Sequence, residues 1–343
     1  MKSNISVLPA SSEFSKAVGD SVETLTSSEF VTEEIGFDKQ YDAIVPYEDP
    51  LYVPFGNYDD VETITLSGRF FPYWIYGLSG NGKTLSIEQA HARNKKRLIM
   101  VPITREADED SLLGGLRLHN GNTIPFFGPV AMGAILGVTV CLDETDLGDE
   151  KMMCLQTALQ NRPFMIKRLG RVIHPKSGFN IVATANTKGQ GSDDGRFVGT
   201  NIMNEAMLDR YVCVFEQEYP GHQVEKEILY KVLTALGNKT PAEEQFVDRL
   251  LLWAEKIRTT FEAGATSEVI TTRRLVHICC AYEMFSRDRK KAIKRCLARF
   301  NEDIKLSFMQ FYEAIDADVN KKETERQRTE NARAHGYDPE TPW

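Results

Sequence analysis

Eleven residues constrain this chain more than any others: YGLSGNGKTLS, positions 76–86, placed directly after the apolar run FFPYWI. Gly77, Gly82, Lys83 and Thr84 fit the spacing G-x-x-x-x-G-K-[ST], with a strand expected before it and a helix after it. Glycines let the backbone curl until successive N–H groups point inward as an anion cradle, and the following helix adds the positive end of its dipole. In such a loop Lys83 reaches the β and γ phosphates of a nucleotide and the Thr84 hydroxyl can ligate Mg²⁺. Ser79, Gly80, Asn81 and Leu85 complete the candidate nucleotide contacts. A glycine-rich turn that merely precedes a lysine is the alternative reading.

A phosphate cradle serves kinases, GTPases and motors alike, so a second site must decide. GVTVCLDE (137–144) ends an apolar strand on Asp143 and Glu144, at the carboxyl end where open α/β sheets bind ligands. Asp143 is placed to hold the Mg²⁺ shell and Glu144 to polarise an attacking water, which favours ATP hydrolysis over small-molecule phosphorylation. A third residue, Asn186, closes the run FNIVATAN; its amide can donate to the γ phosphate and accept from the water. Taken alone, each is also explicable as an ordinary strand end or turn.

Around these motifs, short apolar runs at 70–76, 97–103, 137–143, 179–186 and 211–217 alternate with helix-like segments. None alternates strictly, as expected of strands buried on both faces. After Pro220 only helical spacing remains. The fold class is therefore α/β: a P-loop NTPase domain with a parallel five-stranded sheet over 41–220 and an all-helical lid over 221–320. Residues 1–60 carry 12 acidic and 3 basic side chains, a balance of −9 against −8 for the whole chain. The acidity thus belongs to the leader, read as a flexible arm over 1–40, and 321–343 as a polar tail.

No apolar run is long enough for a bilayer, the N-terminus lacks a secretory h-region, and the six cysteines form no C-x-x-C pair. These features point to the cytoplasm. The six histidines stand singly, which makes a zinc site improbable.

Several longer pieces go beyond the phosphate loop: CLDETD, MMCLQTALQNRPFMI, the stretch from FNIVATANT to MNEAMLDRY, and TTRRL. They resemble the AAA+ ATPases of the MoxR group, and within it the small ATPase subunit of aerobic cobaltochelatase, over roughly residues 45–310. The resemblance implies a ring, hexameric by expectation. It makes Arg210 an arginine finger supplied to the neighbouring subunit, and Arg273 a sensor arginine of the lid. Where the family has Ser-Pro-Arg this chain has Thr271-Thr272-Arg273. Arg274 reads as a surface ion pair, and Arg196 as a conceivable second trans-acting cation.

The family also implies a loop inserted at 114–129 and a hairpin at 164–180. These make Phe126, Phe127, Lys167 and Arg168 candidates for partner contact. The partner that the resemblance implies is a protein with a metal-ion-dependent von Willebrand A domain. A nucleic-acid motor is the alternative, resting on Arg287, Arg289, Lys290, Lys291, Lys294, Arg295 and Arg299. No aromatic residue interleaves them, so a solvated helix face is the expected reading.

Overall fold

In the computed structural model, residues 44–316 are described except 120–121, 190, 192–199 and 238–240. The expected arm and tail, and Arg196, lie outside the described residues. The described chain falls into two compact units that divide between Tyr219 and Pro220.

The first unit runs α1 (Tyr58–Ser67), β1 (Tyr73–Tyr76), α2 (Lys83–Arg93), β2 (Leu98–Pro102), α3 (Glu109–Leu112), β3 (Gly114–His119), β4 (Asn122–Phe127), α4 (Pro129–Leu136), β5 (Thr139–Asp143), β6 (Phe164–Ile166), β7 (Arg171–Ile173), β8 (Asn180–Ala185), α5 (Glu205–Leu208) and β9 (Cys213–Glu216). Five of these strands form one parallel sheet in the order β2-β5-β8-β1-β9. All five arise from the five apolar runs, each a few residues shorter than its run.

Burial on both faces follows from strand alternation. In β1, Trp74 joins a core with Val140, Leu142 and Ala183, while Tyr73 and Ile75 join another with Ile87, Cys141 and Val182. The register Tyr73↔Val182 and Thr139↔Asn180 aligns the strands so that β1, β5 and β8 finish together. Three functional loops therefore leave the sheet at one edge.

Two antiparallel hairpins stand apart from the sheet: β3 with β4, and β6 with β7. The segment expected as an inserted loop is thus a two-stranded hairpin. Phe126 and Phe127 are not available to a partner, as both are only 9% exposed. The Arg117 guanidinium lies 4.0 Å from the Phe126 ring centroid, and Phe127 belongs to the domain core. Leu116 and Leu118, two apart on β3, are the exposed large apolar residues of that hairpin among the described residues. Lys167 and Arg168 pair with Glu109 and Asp110 of α3 at 2.7 and 2.6 Å. These pairs tie the second hairpin to α3 but, being exposed and screened by water, add little stability.

The second unit is helical: α6 (His222–Ala235), α7 (Pro241–Glu262), α8 (Thr272–Met284), α9 (Arg289–Cys296) and α10 (Glu302–Ile315). Leu229, Val232 and Leu233 line the buried face of α6 at helical spacing. Trp253 of α7 is packed edge-on by Phe308 and Tyr312 of α10 and donates from Nε1 to the Phe308 carbonyl at 2.9 Å. Two buried carboxylates staple the helices. Glu225 accepts from both Arg258 terminal nitrogens at 2.9 and 2.7 Å and from the Thr272 hydroxyl at 2.6 Å. Asp316 accepts from Arg249, Arg289 and Tyr312.

Candidate nucleotide site

The site is built where β1, β5 and β8 end. Gly77 leaves β1 with φ 149°, and Gly80 and Gly82 adopt φ 72° and 89°, all backbone that disfavours a side chain. At Gly77 a Cβ would run into the Gln217 carbonyl. Gly82 caps α2, whose first residue is Lys83. Asn81 is almost wholly buried; it donates from Nδ2 to the Gln217 carbonyl and accepts from Lys83 through Oδ1 at 3.3 Å. Ser79 is exposed, and its carbonyl accepts from the Tyr219 hydroxyl at 3.0 Å. Leu85 is exposed as well.

Lys83 is 7% exposed. Its Nζ donates to the carbonyls of Gly77 and Leu78 at 2.7 and 2.9 Å, and to Asn186 Oδ1 at 3.3 Å. The phosphate loop and the end of β8 are thus joined through one ammonium group. One position on, the Thr84 hydroxyl donates to Asp143 Oδ1 at 2.7 Å. That carboxylate oxygen also accepts from Thr184 at 2.6 Å, and the Thr184 oxygen accepts from the Glu144 backbone N–H at 3.0 Å. Glu144 sits just beyond β5 with φ 57°, a left-handed conformation that is costly for a non-glycine residue and concentrates at functional sites. Its side chain is exposed.

Behind this shell lies Asp146, fully buried. Its Oδ2 accepts from the backbone N–H of Asn186 and of Thr187, each at 2.9 Å, and from the Thr187 hydroxyl at 3.0 Å. Oδ1 is buried without a partner. Glu88, one helical turn after Thr84, has its carboxyl pushed up by burial and by the Asp143 charge.

Sequence reasoning missed Thr184, Asp146 and Glu88. A signal existed for Thr184: a hydroxyl inside a strand buried on both faces needs a partner. Asp146 stood in plain view in CLDETD, yet its partners lie 40 and 41 positions away.

Arg210 follows α5, half-buried, makes no ion pair among the described residues, and leaves Nε buried without a partner. Arg273 belongs to the helical unit, exposed in the first turn of α8. Thr271 caps that helix by accepting from the Arg274 N–H at 3.0 Å, and Thr272 occupies the first helical position, where proline is tolerated. The Thr-Thr pair therefore starts the helix as Ser-Pro would. Arg274, read as a surface ion pair, is half-buried and forms none among the described residues; burial and the neighbouring Arg299 lower its pKa.

The basic cluster is not the fully solvated face expected. Arg289 is 9% exposed and pairs with Asp316, while Arg287, Lys290 and Arg299 pair with Glu243, Glu313 and Glu268. Charges so engaged are poorly placed to release counterions from a nucleic acid.

Residues 72–210 match the AAA domain of the dynein-related subfamily. The chain is 27% identical over 244 residues to the aerobic cobaltochelatase subunit CobS of Sinorhizobium sp, covering 68% of this chain and 72% of that one. It is 28% identical over 245 residues to YojN of Bacillus subtilis, covering 65% and 76% respectively. A crystal structure of NtrX from Brucella abortus aligns with a TM-score of 0.45 at 18% identity, over 67% of this chain and 50% of that one. No helix among the described residues is long and apolar enough to cross a membrane.

Proposed function

We propose that this AAA-domain ATPase, related to CobS and to ATPases of the MoxR type, turns over Mg-ATP at the carboxyl edge of its sheet and spends the energy on remodelling a protein partner. The observation that carries the reading is the meeting of Lys83, Thr84, Asp143 and Asn186 at one edge, with Glu144 exposed beside them.

Each residue has a chemical task there. The loop amides from Gly77 to Thr84 cradle the phosphates, and Lys83 exchanges its loop carbonyls for phosphate oxygens. Thr84 Oγ1 and Asp143 Oδ1, 2.7 Å apart, are hard oxygen donors that fit Mg²⁺. Bound Mg-ATP would supply the phosphoanhydride, and its Mg²⁺ would neutralise charge on the phosphate oxygens. Glu144 orients a water and accepts its proton, which only a carboxylate free of internal partners can do. Asn186, held against Lys83, positions that water relative to the γ phosphate.

Arg210 completes the site of a neighbouring copy in a ring, by expectation hexameric. Its unpaired Nε and the exposed apolar side chains of Ile202 and Val212 on either side of it support an interface there. The partner carried over from the resemblance is a protein with a metal-ion-dependent von Willebrand A domain.

The test is Mg-ATP turnover by purified wild type and Glu144→Gln. The variant is expected to bind ATP as tightly as wild type while turnover falls by about 100-fold or more. Mixing inactive Arg210→Ala and Lys83→Ala subunits should restore part of the activity, and Glu144→Gln held in ATP should retain the partner on affinity capture. Equal turnover by Glu144→Gln and wild type would remove the assignment of the base.

A further inference from the structure

The opposite edge of the sheet holds a cavity of about 240 Å³. Tyr73 and Asn180, which open β1 and β8, line it together with His91 near the end of α2. The phosphate loop lies at the other end of that 11-residue helix, about 16 Å away at 1.5 Å per residue. Four cations ring the cavity: Arg69, Lys95, Lys96 and Arg97. Lys95 pairs with Glu48 at 3.0 Å, whereas Arg69, Lys96 and Arg97 have no ion pair among the described residues.

Basic residues after a helix C-terminus ordinarily complement its dipole. That accounts for Lys95 and Lys96 and leaves the interior unexplained. Three residues that line this cavity each carry a polar atom buried without a partner: the Tyr73 hydroxyl, His91 Nε2 and Arg97 Nη1. Tyr73 and His91 are 0% and 1% exposed. An orphan of this kind is costly, so three on the residues lining one void call for a partner.

The hydrogen-bond inventory specifies that partner. His91 Nδ1 lies 2.8 Å from the Ile87 carbonyl, which only accepts, so Nδ1 carries the ring proton. Burial, with Lys96 nearby, pushes the imidazole pKa down to about 4. Nε2 is therefore a bare acceptor at neutral pH. Arg97, Tyr73, Lys96 and Arg69 offer donors and positive charge; His91 asks for a donor in return. The cavity is smaller than the roughly 300–1,000 Å³ of pockets for drug-sized ligands.

We propose that this cavity is a second anion site, selective for inorganic phosphate, an oxyanion that keeps at least one hydroxyl proton at neutral pH. Its charged oxygens face Arg97, Tyr73 and the rim cations, and its O–H donates to His91 Nε2. Arg97, half-buried on a long stem, is the movable wall through which the ion reaches the two buried groups. Sulfate has the same shape and charge but no proton, so one of its oxygens would oppose the His91 lone pair.

Calorimetric titration of the full chain, saturated with Mg²⁺ and a non-hydrolysable ATP analogue to fill the phosphate loop, tests this. Orthophosphate should bind at one site per chain, and sulfate at matched ionic strength at least about tenfold more weakly. Arg97→Gln should weaken phosphate by about tenfold or more, and Lys96→Gln, a change at an exposed position that leaves the core untouched, by about threefold. Arg105→Gln, an exposed arginine outside the cavity, should bind as wild type. Absence of a phosphate site in the loaded protein, equal affinity for sulfate, or unchanged binding by Arg97→Gln would each overturn the proposal.

Discussion

Asn186 is held in place by Asp146: its backbone N–H donates to the Asp146 carboxylate at 2.9 Å, and that carboxylate is wholly buried. Because Asp146 follows β5 and Asn186 follows β8, a single side chain sets the spacing between the proposed base and the proposed water-positioning amide. Only one of its two oxygens is engaged.

That asymmetry separates two substitutions. Asp146→Asn can keep an acceptor on the engaged side and turn its NH₂ to the orphaned side, so turnover should stay within about threefold of wild type. Asp146→Ala leaves two backbone N–H groups without their acceptor and should lower kcat by about 10–100-fold with little change in ATP affinity. Steady-state kinetics on both variants checks this; equal loss in the two would indicate that the charge, not the acceptor, matters.

Thr184 bridges Asp143 and the Glu144 N–H with one hydroxyl. Thr184→Val keeps the shape and removes both hydrogen bonds. The Mg²⁺ concentration for half-maximal turnover should rise by about tenfold, while ATP binding measured without Mg²⁺ stays the same. Titrating Mg²⁺ against turnover at saturating ATP reads the difference.

His91 gives stability a pH dependence with a definite sign. Its pKa is lowered from 6.5 to about 4, first by burial. The unfolded chain takes up a proton below about pH 6.5 and the native imidazole does not, so this contribution is complete above 6.5 and is lost as pH falls toward 4. In phosphate-free buffer, His91→Gln should flatten the fall in melting temperature across that interval relative to wild type, as read by calorimetry.

In the helical unit, Arg258→Met leaves Glu225 buried with only the Thr272 hydroxyl as a side-chain partner. The expected cost is about 3–5 kcal/mol. Replacing both members, as Glu225→Leu with Arg258→Met, should recover most of it. Urea midpoints of the three proteins decide the matter.

Residues 77–84 can be read as a phosphate loop without knowing the fold, because the glycines, the lysine and the threonine are local neighbours whose spacing alone sets the curl of the backbone. The five strands are equally plain, since continuous apolar runs between turn residues have few other places to go. That Asp143, Glu144 and Asn186 lie at one edge could be foreseen because a parallel sheet collects strand ends there.

Side-chain partnership across strands obeys no such local rule. Thr184 meets Asp143 across 41 positions only because β8 pairs with β5 in one register, and a slip of one residue would turn its hydroxyl to the other face. Phe126 and Phe127 look like display residues in a chain of letters; packing of the hairpin against the core buries both and leaves Leu116 and Leu118 outside. Chain order thus dictates which chemical groups reach the sheet edge, since it governs backbone conformation a few residues at a time. Which of them touch, and which are shielded from water, depends on strand order and register, and these are settled by burial summed over the whole domain.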